Sequence, residues 1–245
     1  MLGLDGLIVT GTEPKHADLT QEVYWPGLAK IIDWAAANTR STVFSCLAAH
    51  AAVLHLDGVK RRKMPRKLTG LMVCNKTRPH WATDGLADEW LTPHSRWNDV
   101  AESDLSARGY QLLTHAQGAG ADLFVKAAGS QFVFMQGHPE YAGDALLKEY
   151  RRDARRFLTG EADAYPHLPF NLFEPALAAE LEAVATSLRE MHSPEALKVV
   201  TRLLAGAPNT APWRVQAVQF YRNWLGMLTG ATAAKRPGDG LEAPQ

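Results

Sequence analysis

The stretch STVFSCLAAHAAVLHL, Ser41 to Leu56, changes from strand-like to helix-like composition at one cysteine. Thr42, Val43 and Phe44 are β-branched or aromatic and favour a strand, whereas the alanines and leucines after Cys46 favour a helix. A cysteine at such a corner is typical of a nucleophile elbow, in which a sharp turn lifts the side chain above the sheet. A buried core cysteine would give the same pattern, because cysteine is among the most buried residue types. Both interpretations are open at this point.

The residues before this stretch repeat the same alternation. LDGLIVTG (Leu4 to Gly11) predicts a buried strand that ends in a glycine turn, and YWPGLAKIIDWAAANT (Tyr24 to Thr39) has the apolar spacing of an amphipathic helix. A strand–helix–strand–helix order is typical of parallel α/β sheets, whose sites lie at the carboxyl ends of the strands. We therefore expect an α/β fold with a doubly wound, mostly parallel sheet flanked by helices.

The rest of the chain predicts further short strands and then helices. The strands are expected at Lys67–Val73, Tyr110–Ala116, Ala121–Ala128 and Gln131–Tyr141, and the helices at Gly143–Leu158, Ala176–Met191, Pro194–Ala205 and Trp213–Leu228. We expect one domain over residues 1–228, with a helical insertion near 174–207. The polar, alanine- and glycine-rich residues 229–245 are expected to form a disordered tail.

The composition excludes several classes of function. Lys plus Arg and Asp plus Glu are equal at 26 each, so there is no overall basic field for nucleic acid or an anionic membrane. We find no secretory signal and no apolar run long enough to cross a bilayer, which predicts a cytoplasmic protein. The cysteines, Cys46 and Cys74, lack zinc spacing, and we infer no structural metal. The basic run Lys60–Lys67 is either a solvated loop or a phosphate-binding segment.

Two predicted strands end in chemically useful residues. Cys46 follows one strand, and His138 and Glu140 follow another, so a parallel sheet would bring them to one edge. A thiolate nucleophile, an imidazole that takes and returns its proton, and a carboxylate that orients the imidazole form a known catalytic set. The backbone N–H of Leu47, at the helix start, would receive a tetrahedral oxyanion. The alternative is that GHPE is a surface turn.

Several blocks together resemble one family. LDGLIVTG, STVFSCLAAHAA, KLTG, LTPHSRW, GHPEYAGDALLKEYRRD, PFNLF and NTAPWR…FYRNWL occur in the order seen in homoserine O-acyltransferases of the succinyltransferase type, which are class I glutamine-amidotransferase-like. The resemblance implies a transferase of methionine biosynthesis that needs no cofactor, with acyl-CoA as cosubstrate. Cys46 would take the acyl group from succinyl-CoA or acetyl-CoA and pass it to L-homoserine, with His138 as general base and Glu140 as its orienting partner.

The resemblance also assigns binding residues. By position, Lys67, Ser95 and Arg152 would contact the substrate, and Arg152 offers a bidentate fork for a carboxylate. The family chooses between acetyl and succinyl donors at a position that is Lys15 here, where its members usually carry Glu or Gly. A lysine there favours the succinyl donor, because its charge is opposite to that of the succinyl carboxylate.

Two alternatives to this acyltransferase are open. One is a glutamine-amidotransferase-like hydrolase, which shares a Cys–His–Glu site, and the other is a non-catalytic remnant of the fold. The resemblance further implies amino-terminal strands before Leu4 that this sequence lacks. An uncovered strand edge is a liability, so we expect such strands or a second copy, as in a homodimer, to cover the first strand.

Overall fold

The computed structural model describes residues 4–189, 193, 195–207 and 209–230, and it is an α/β fold with helices against the sheets. The strands are β1 Gly6–Val9, β2 Ser41–Ser45, β3 Arg62–Lys76, β4 Glu89–Asp99, β5 Gln111–Leu112, β6 Thr114–Ala116, β7 Gly120–Ala121, β8 Leu123–Ala128 and β9 Ser130–Met135. The helices are α1 Trp25–Asn38, α2 Leu47–Asp57, α3 Glu102–Ala107, α4 Ala145–Leu158, α5 Pro175–Leu188, α6 Ala196–Leu204 and α7 Arg214–Thr229.

The main sheet places the ends of two buried strands side by side. Its order is β1-β2-β9-β8-β5, and β2 runs parallel to both β1 and β9. Ser45 and Met135 are register partners at the carboxyl ends of β2 and β9. The residues that follow these two strands therefore meet at one edge, as the sequence predicts.

The expected α/β class is confirmed, but the strands are not mostly parallel. β8 pairs antiparallel with β9 and with β5, and a second sheet, ordered β4-β3-β6-β7, is antiparallel throughout. For β8 and β9 the reason is a short connection: only Gly129, at φ +76°, separates these two strands, and a parallel pair needs a long crossover. The sheet is mixed around a parallel centre.

Small residues let helix α2 lie close to the main sheet. Ala48, Ala49 and Ala52 are almost fully buried and pack with Phe44 and Phe134 on one face of the sheet. On the opposite face, α7 packs against Val43 and Val133 through three large side chains, Phe220, Trp224 and Leu228. Burial on both faces explains why β2 is buried along its whole length.

Strand β1 is less buried than its apolar sequence predicts. Ile8 is 50% exposed, because β1 is the edge strand of this sheet within the described residues and pairs there with β2 alone. Leu7 and Val9 still pack against the core beside α1. The prediction of a buried strand is therefore wrong for one face of β1.

The predicted helices are present, and two further elements went unpredicted. Residues 174–207 contain α5 and α6, which pack with α4 around a separate apolar cluster that includes Tyr150, Leu181 and Val200. The predicted ends at Met191 and Pro194 lie outside the described residues, as do residues 231–245 of the predicted tail. Strand β4 and the short helix α3 were not predicted, because their sequences are rich in polar residues.

Candidate active site

Cys46 occupies a strained corner between β2 and α2. Its backbone has φ 52° and ψ −117°, a region that non-glycine residues rarely adopt and that costs of order 1–3 kcal/mol. Its N–H donates to the Met135 carbonyl at 2.7 Å, and its carbonyl accepts from Ala49 at 3.0 Å, where α2 begins. Cys46 is half-buried. The corner predicted from the sequence is therefore present, with the thiol at the carboxyl edge of the sheet.

His138 reaches the same edge from the end of β9. Its Nδ1 lies 3.0 Å from Oε1 of Glu140, and the Ser45 hydroxyl donates to that same oxygen at 3.0 Å. The imidazole ring stacks on Tyr141, with centroids 4.1 Å apart and an interplanar angle of 18°. His138 is only 7% exposed, so this histidine does not belong to a surface turn.

The protonation of His138 is set by its neighbours. Burial alone would lower the pKa of its imidazole, but side-chain hydrogen bonds to Cys46 and Glu140 outweigh burial and raise that pKa to about 10. Burial would raise the pKa of Glu140, yet hydrogen bonds from His138 and Ser45 leave it below its usual value. The site therefore holds a charged imidazole between a thiol and a carboxylate, which is the arrangement that activates a cysteine nucleophile.

Gly11 packs directly over the first residue of α2. A Cβ on Gly11 would lie 2.8 Å from both the backbone N and the Cβ of Leu47, so only glycine fits here. This contact brings the loop after β1 beside the amide that sequence reasoning assigns to an oxyanion. The role of Leu47 stays a prediction.

A polar cluster beside His138 gathers the three residues predicted to bind substrate. Glu149 on α4 is its centre: its carboxylate accepts from the Tyr141 hydroxyl at 2.5 Å, from Lys67 Nζ at 3.2 Å and, through a short hydrogen bond, from Ser95. Burial would raise the pKa of Glu149, but the hydrogen bonds from Ser95 and Tyr141 outweigh it and lower that pKa. Tyr141 therefore links this cluster to the His138 ring.

Arg152 lies at the outer side of the cluster. Its Nη2 is 2.8 Å from Asp153 Oδ1 and 3.9 Å from Glu149 Oε2, and its side chain is 41% exposed. Lys67 Nζ contacts the other oxygen of Asp153 at 2.7 Å. The structure thus brings Lys67, Ser95 and Arg152 together around two carboxylates, while their role in binding stays a prediction.

Comparisons with known proteins identify the family. The model of the family described as "HTS: Homoserine O-succinyltransferase" matches residues 2–234. The chain belongs to the homoserine O-succinyltransferase family. The homoserine O-succinyltransferase of Methylorubrum extorquens is 45% identical over 231 residues, which cover 94% of this chain and 70% of that protein. The homoserine O-succinyltransferase of Rhodopseudomonas palustris is 43% identical over 222 residues, which cover 91% of this chain and 67% of that protein.

Solved structures support the fold. A glutamine amidotransferase from Methylobacillus flagellatus superposes with a TM-score of 0.51 at 14% identity, covering 94% of this chain and 78% of that one. At this identity the likeness shows the glutamine-amidotransferase-like fold alone. The predicted family, fold and acyltransferase class are therefore confirmed. Within the described residues, we find no helix with the length and apolar character needed to cross a membrane.

The loop that carries Lys15, the residue predicted to select the acyl donor, is held by several hydrogen bonds. The N–H groups of Lys15 and His16 both donate to Glu22 Oε1, at 2.6 and 2.7 Å. Arg61 donates to the carbonyls of His16 and Ala17 at 2.7 and 2.9 Å, so this residue of the basic run holds a loop in place. The side chain of Lys15 is exposed, and its selective role stays a prediction.

A second buried cluster was not expected from the sequence. Ligand atoms of Cys74, His94 and Asp122 all lie within 4.8 Å of one another, close enough to hold a metal ion. However, Arg96 Nε lies 3.4 Å from His94 Nδ1 in a hydrogen bond. A guanidinium can only donate, so Nδ1 accepts and the proton of the neutral ring is on Nε2, the atom a metal would need. The donor set therefore fits a hydrogen-bonded cluster better than a metal site.

Sequence reasoning missed four residues of the candidate site. Tyr141 follows the GHPE block directly, and an aromatic residue beside a candidate base could have drawn attention to it. Ser45, Glu149 and Asp153 gave no such signal, because their partners are distant in sequence and a hydroxyl or carboxylate on a strand or helix is commonplace.

Proposed function

We propose that this chain is a homoserine O-succinyltransferase that carries the acyl group on Cys46. The observation that supports this most strongly is the hydrogen-bonded series Cys46–His138–Glu140 at a strained corner, in a chain of this family. The proposed reaction uses acyl-CoA as a cosubstrate and needs no further cofactor. O-succinylhomoserine would enter methionine biosynthesis, and a reducing cytoplasm would keep Cys46 reduced.

In the first half-reaction, Cys46 would attack the thioester carbonyl of succinyl-CoA. A bond forms between Sγ and the carbonyl carbon, the oxygen takes the negative charge beside the Leu47 N–H, and the tetrahedral intermediate then expels the thiolate of coenzyme A. The charged imidazole of His138, which holds the proton taken from Cys46, gives that proton to the leaving thiolate. Glu140 keeps the imidazole oriented and balances its charge.

In the second half-reaction, the hydroxyl of homoserine would attack the acyl-enzyme. His138 removes the hydroxyl proton as the new ester bond forms, and it returns that proton to Cys46 as the thioester breaks. The same three side chains serve both halves, which is expected of a ping-pong mechanism.

The cluster around Glu149 suits the zwitterionic part of homoserine. Arg152 and Lys67 would bind its carboxylate, since a guanidinium matches a carboxylate bidentately. Glu149 and Asp153, which pair with these cations in the structure, would be available to its ammonium group. Ser95 lies within the same cluster and would add a short hydroxyl.

For the acyl donor, we propose succinyl-CoA in preference to acetyl-CoA. Lys15 carries the charge that complements a succinyl carboxylate, and the tethered loop would present it near the helix start that Gly11 contacts. An acetyl group offers nothing for this charge to bind.

The test is intact-mass analysis of the protein after incubation with succinyl-CoA, followed by peptide mapping. We expect one succinyl group on Cys46, which homoserine then removes with release of O-succinylhomoserine. Acetyl-CoA in a parallel reaction measures donor preference. Glutamine in a third reaction tests the hydrolase alternative: ammonia release without acylation would contradict the proposal, and inertness toward all three would support the non-catalytic remnant.

A further inference from the structure

A row of buried polar groups lies directly behind the catalytic histidine. Arg96, His94 and Asp122 come from β4 and from the residue before β8, and each is less than a tenth exposed. The row ends at Gly137, the residue that immediately precedes His138. None of these side chains has a part in the acyl transfer proposed above.

Asp122 continues the pairing of two strands past the point where the backbone ladder stops. The last register pair of β8 and β9 is Leu123 with Met135, and Gln136 N–H then donates to the Asp122 carbonyl at 2.9 Å. Gly137 N–H donates instead to the Asp122 side chain, at 3.0 Å from Oδ1. The carboxylate thus holds the backbone where it leaves the sheet toward His138.

Gly137 packs so closely against this carboxylate that no side chain would fit at its position. A Cβ built on it would lie 2.8 Å from Asp122 Oδ1, 2.9 Å from His94 Nε2 and 2.5 Å from the Thr92 methyl group. His138 N–H is held in turn by the Pro93 carbonyl at 2.7 Å. The backbone that carries the imidazole is therefore held at two successive N–H groups, those of Gly137 and His138.

The charge of Asp122 is stabilised without a full cation partner. Burial would raise the pKa of this carboxyl, but contacts with His94, Gly137 and Cys74 outweigh burial and lower it. His94 Nε2 lies 3.3 Å from Oδ1, a contact too poorly aligned to be a linear hydrogen bond. Since Arg96 donates to Nδ1 of that ring, the Nε2 proton faces the carboxylate.

We propose that Asp122 is a positioning residue that, through the Gly137 N–H, sets the orientation of His138 toward Cys46. The inference rests on the proposed function, because it assigns Asp122 to the same acyl transfer. A misplacement of about 1 Å in a catalytic group can cost on the order of 10²-fold in rate, so a fixed backbone at this point matters. Asp122 itself touches neither substrate nor the reacting atoms.

The experiment compares Asp122→Ala with Asp122→Asn in the full chain. Asn keeps an oxygen that can accept from Gly137, whereas Ala removes the acceptor. Asp57→Ala is the control, since Asp57 is a partly buried, hydrogen-bonded carboxylate whose partners, Lys126 and Tyr110, lie away from the site. For each variant, kcat and KM are measured, and the titration of His138 is followed by NMR with labelled histidine.

We expect Asp122→Ala to lower kcat by roughly ten- to a hundredfold with little change in either KM, and Asp122→Asn to lose less. The His138 titration should move in Asp122→Ala and stay in place in Asp57→Ala. If Asp122→Ala fails to fold, the Asn variant still tests the proposal through a lowered kcat and a displaced titration.

Two results would overturn the inference. One is that Asp122→Ala has the same kcat and the same His138 titration as the unmodified chain. If Asp122→Ala does not fold, the same result in Asp122→Asn counts instead. The other is stoichiometric zinc in the purified chain that Asp122→Asn loses, which would make the cluster a metal site. If the unmodified chain transfers no acyl group, the proposed function fails separately, and the NMR titration still decides the role of Asp122.

Discussion

Cys46 and Cys74 carry the same thiol in opposite surroundings. Cys46 is half-buried at a corner with positive φ and shares a hydrogen bond with the His138 imidazole. Cys74 is fully buried on β3, where its sulfur lies 3.5 Å from a carboxylate oxygen of Asp122. Burial and the Asp122 charge raise the pKa of the Cys74 thiol far above its usual range.

The contrast shows that burial and neighbouring charge together decide what a cysteine can do. A charged imidazole stabilises a thiolate, whereas a buried carboxylate repels one and leaves the thiol as a weak hydrogen-bond donor. Neither feature is visible in the residues adjacent to the cysteines, since both partners come from strands distant in sequence. Each prediction below removes a group that is proposed to make Cys46 reactive, or measures how much that group contributes.

The largest effect is expected from removing the Cys46 thiol. Cys46→Ala should abolish acyl-enzyme formation, whereas Cys74→Ala should leave it intact and only lower the melting temperature. The measurement is intact mass after incubation with succinyl-CoA. Persistent acylation in Cys46→Ala would show that the nucleophile has been misassigned.

The second-largest effect is expected from removing His138, the proposed base beside Cys46. His138→Ala removes the proton acceptor and should lower kcat by roughly 10²–10⁴-fold, the range for loss of ordinary acid–base catalysis. Steady-state kinetics with both substrates measure the change, and His115→Ala, on an exposed histidine, is the control. Equal activity of the two variants would exclude His138 as the base.

A smaller loss is expected when the carboxylate partner of His138 is neutralised. Glu140→Gln keeps a side chain of the same size and leaves the imidazole in place, but it removes the charge that orients and stabilises the ring. Its kcat should therefore fall less than that of His138→Ala. A Glu140→Gln chain with full activity would make Glu140 an ordinary turn residue.

The raised pKa of His138 predicts a definite pH dependence of stability. Its pKa in the folded chain is about 10, above the ordinary value of 6.5, so the contribution of the charged imidazole is complete below about pH 6.5. That contribution is lost as the pH rises toward 10. The difference in the free energy of unfolding between the unmodified chain and His138→Gln, measured in urea, should shrink over this range. A difference that grows with pH would show that the pKa is lowered instead.

Much of this architecture could be predicted because its signals are local. The change of composition at Cys46 places a strand and a helix on either side of it, and the positive φ at that residue follows from the sharp turn. The parallel pairing of β2 with β9 then brings His138 to Cys46. That Cys46 and His138 meet at one edge of the sheet could therefore be predicted from where the strands end, while their catalytic roles stay predictions.

The unpredicted parts depend on contacts between distant segments. The antiparallel pairing of β8 with β9 follows from the turn at Gly129, whose flanking residues look like any strand ends. Asp122 was part of a predicted strand and gave no sign that its carboxylate holds Gly137. Strand β4 was not predicted because its sequence is polar. Its polar side chains, such as Ser95 and Arg96, are hydrogen-bonded to distant residues inside the protein, which the sequence does not show.

The smallest effect is expected at Lys15, the residue predicted to select the acyl donor that Cys46 would receive. The loop is held through backbone groups, because Glu22 accepts from the N–H of Lys15 and Arg61 donates to the His16 carbonyl. A change of the Lys15 side chain should therefore alter charge without moving the loop. Exposed ion pairs contribute little, so Lys15→Glu should lower the preference for succinyl-CoA over acetyl-CoA by roughly two- to tenfold.

The measurement is the ratio of kcat/KM for the two donors in the unmodified chain and in Lys15→Glu, at low and high salt. Lys30→Glu makes the same charge change on an exposed position of α1 and should leave the ratio unaltered. Because an exposed charge is screened, the effect of Lys15→Glu should weaken as salt rises. A native preference for acetyl-CoA would overturn the succinyl assignment. A ratio that Lys15→Glu leaves unchanged would instead mean that the side chain points to solvent and selects no donor.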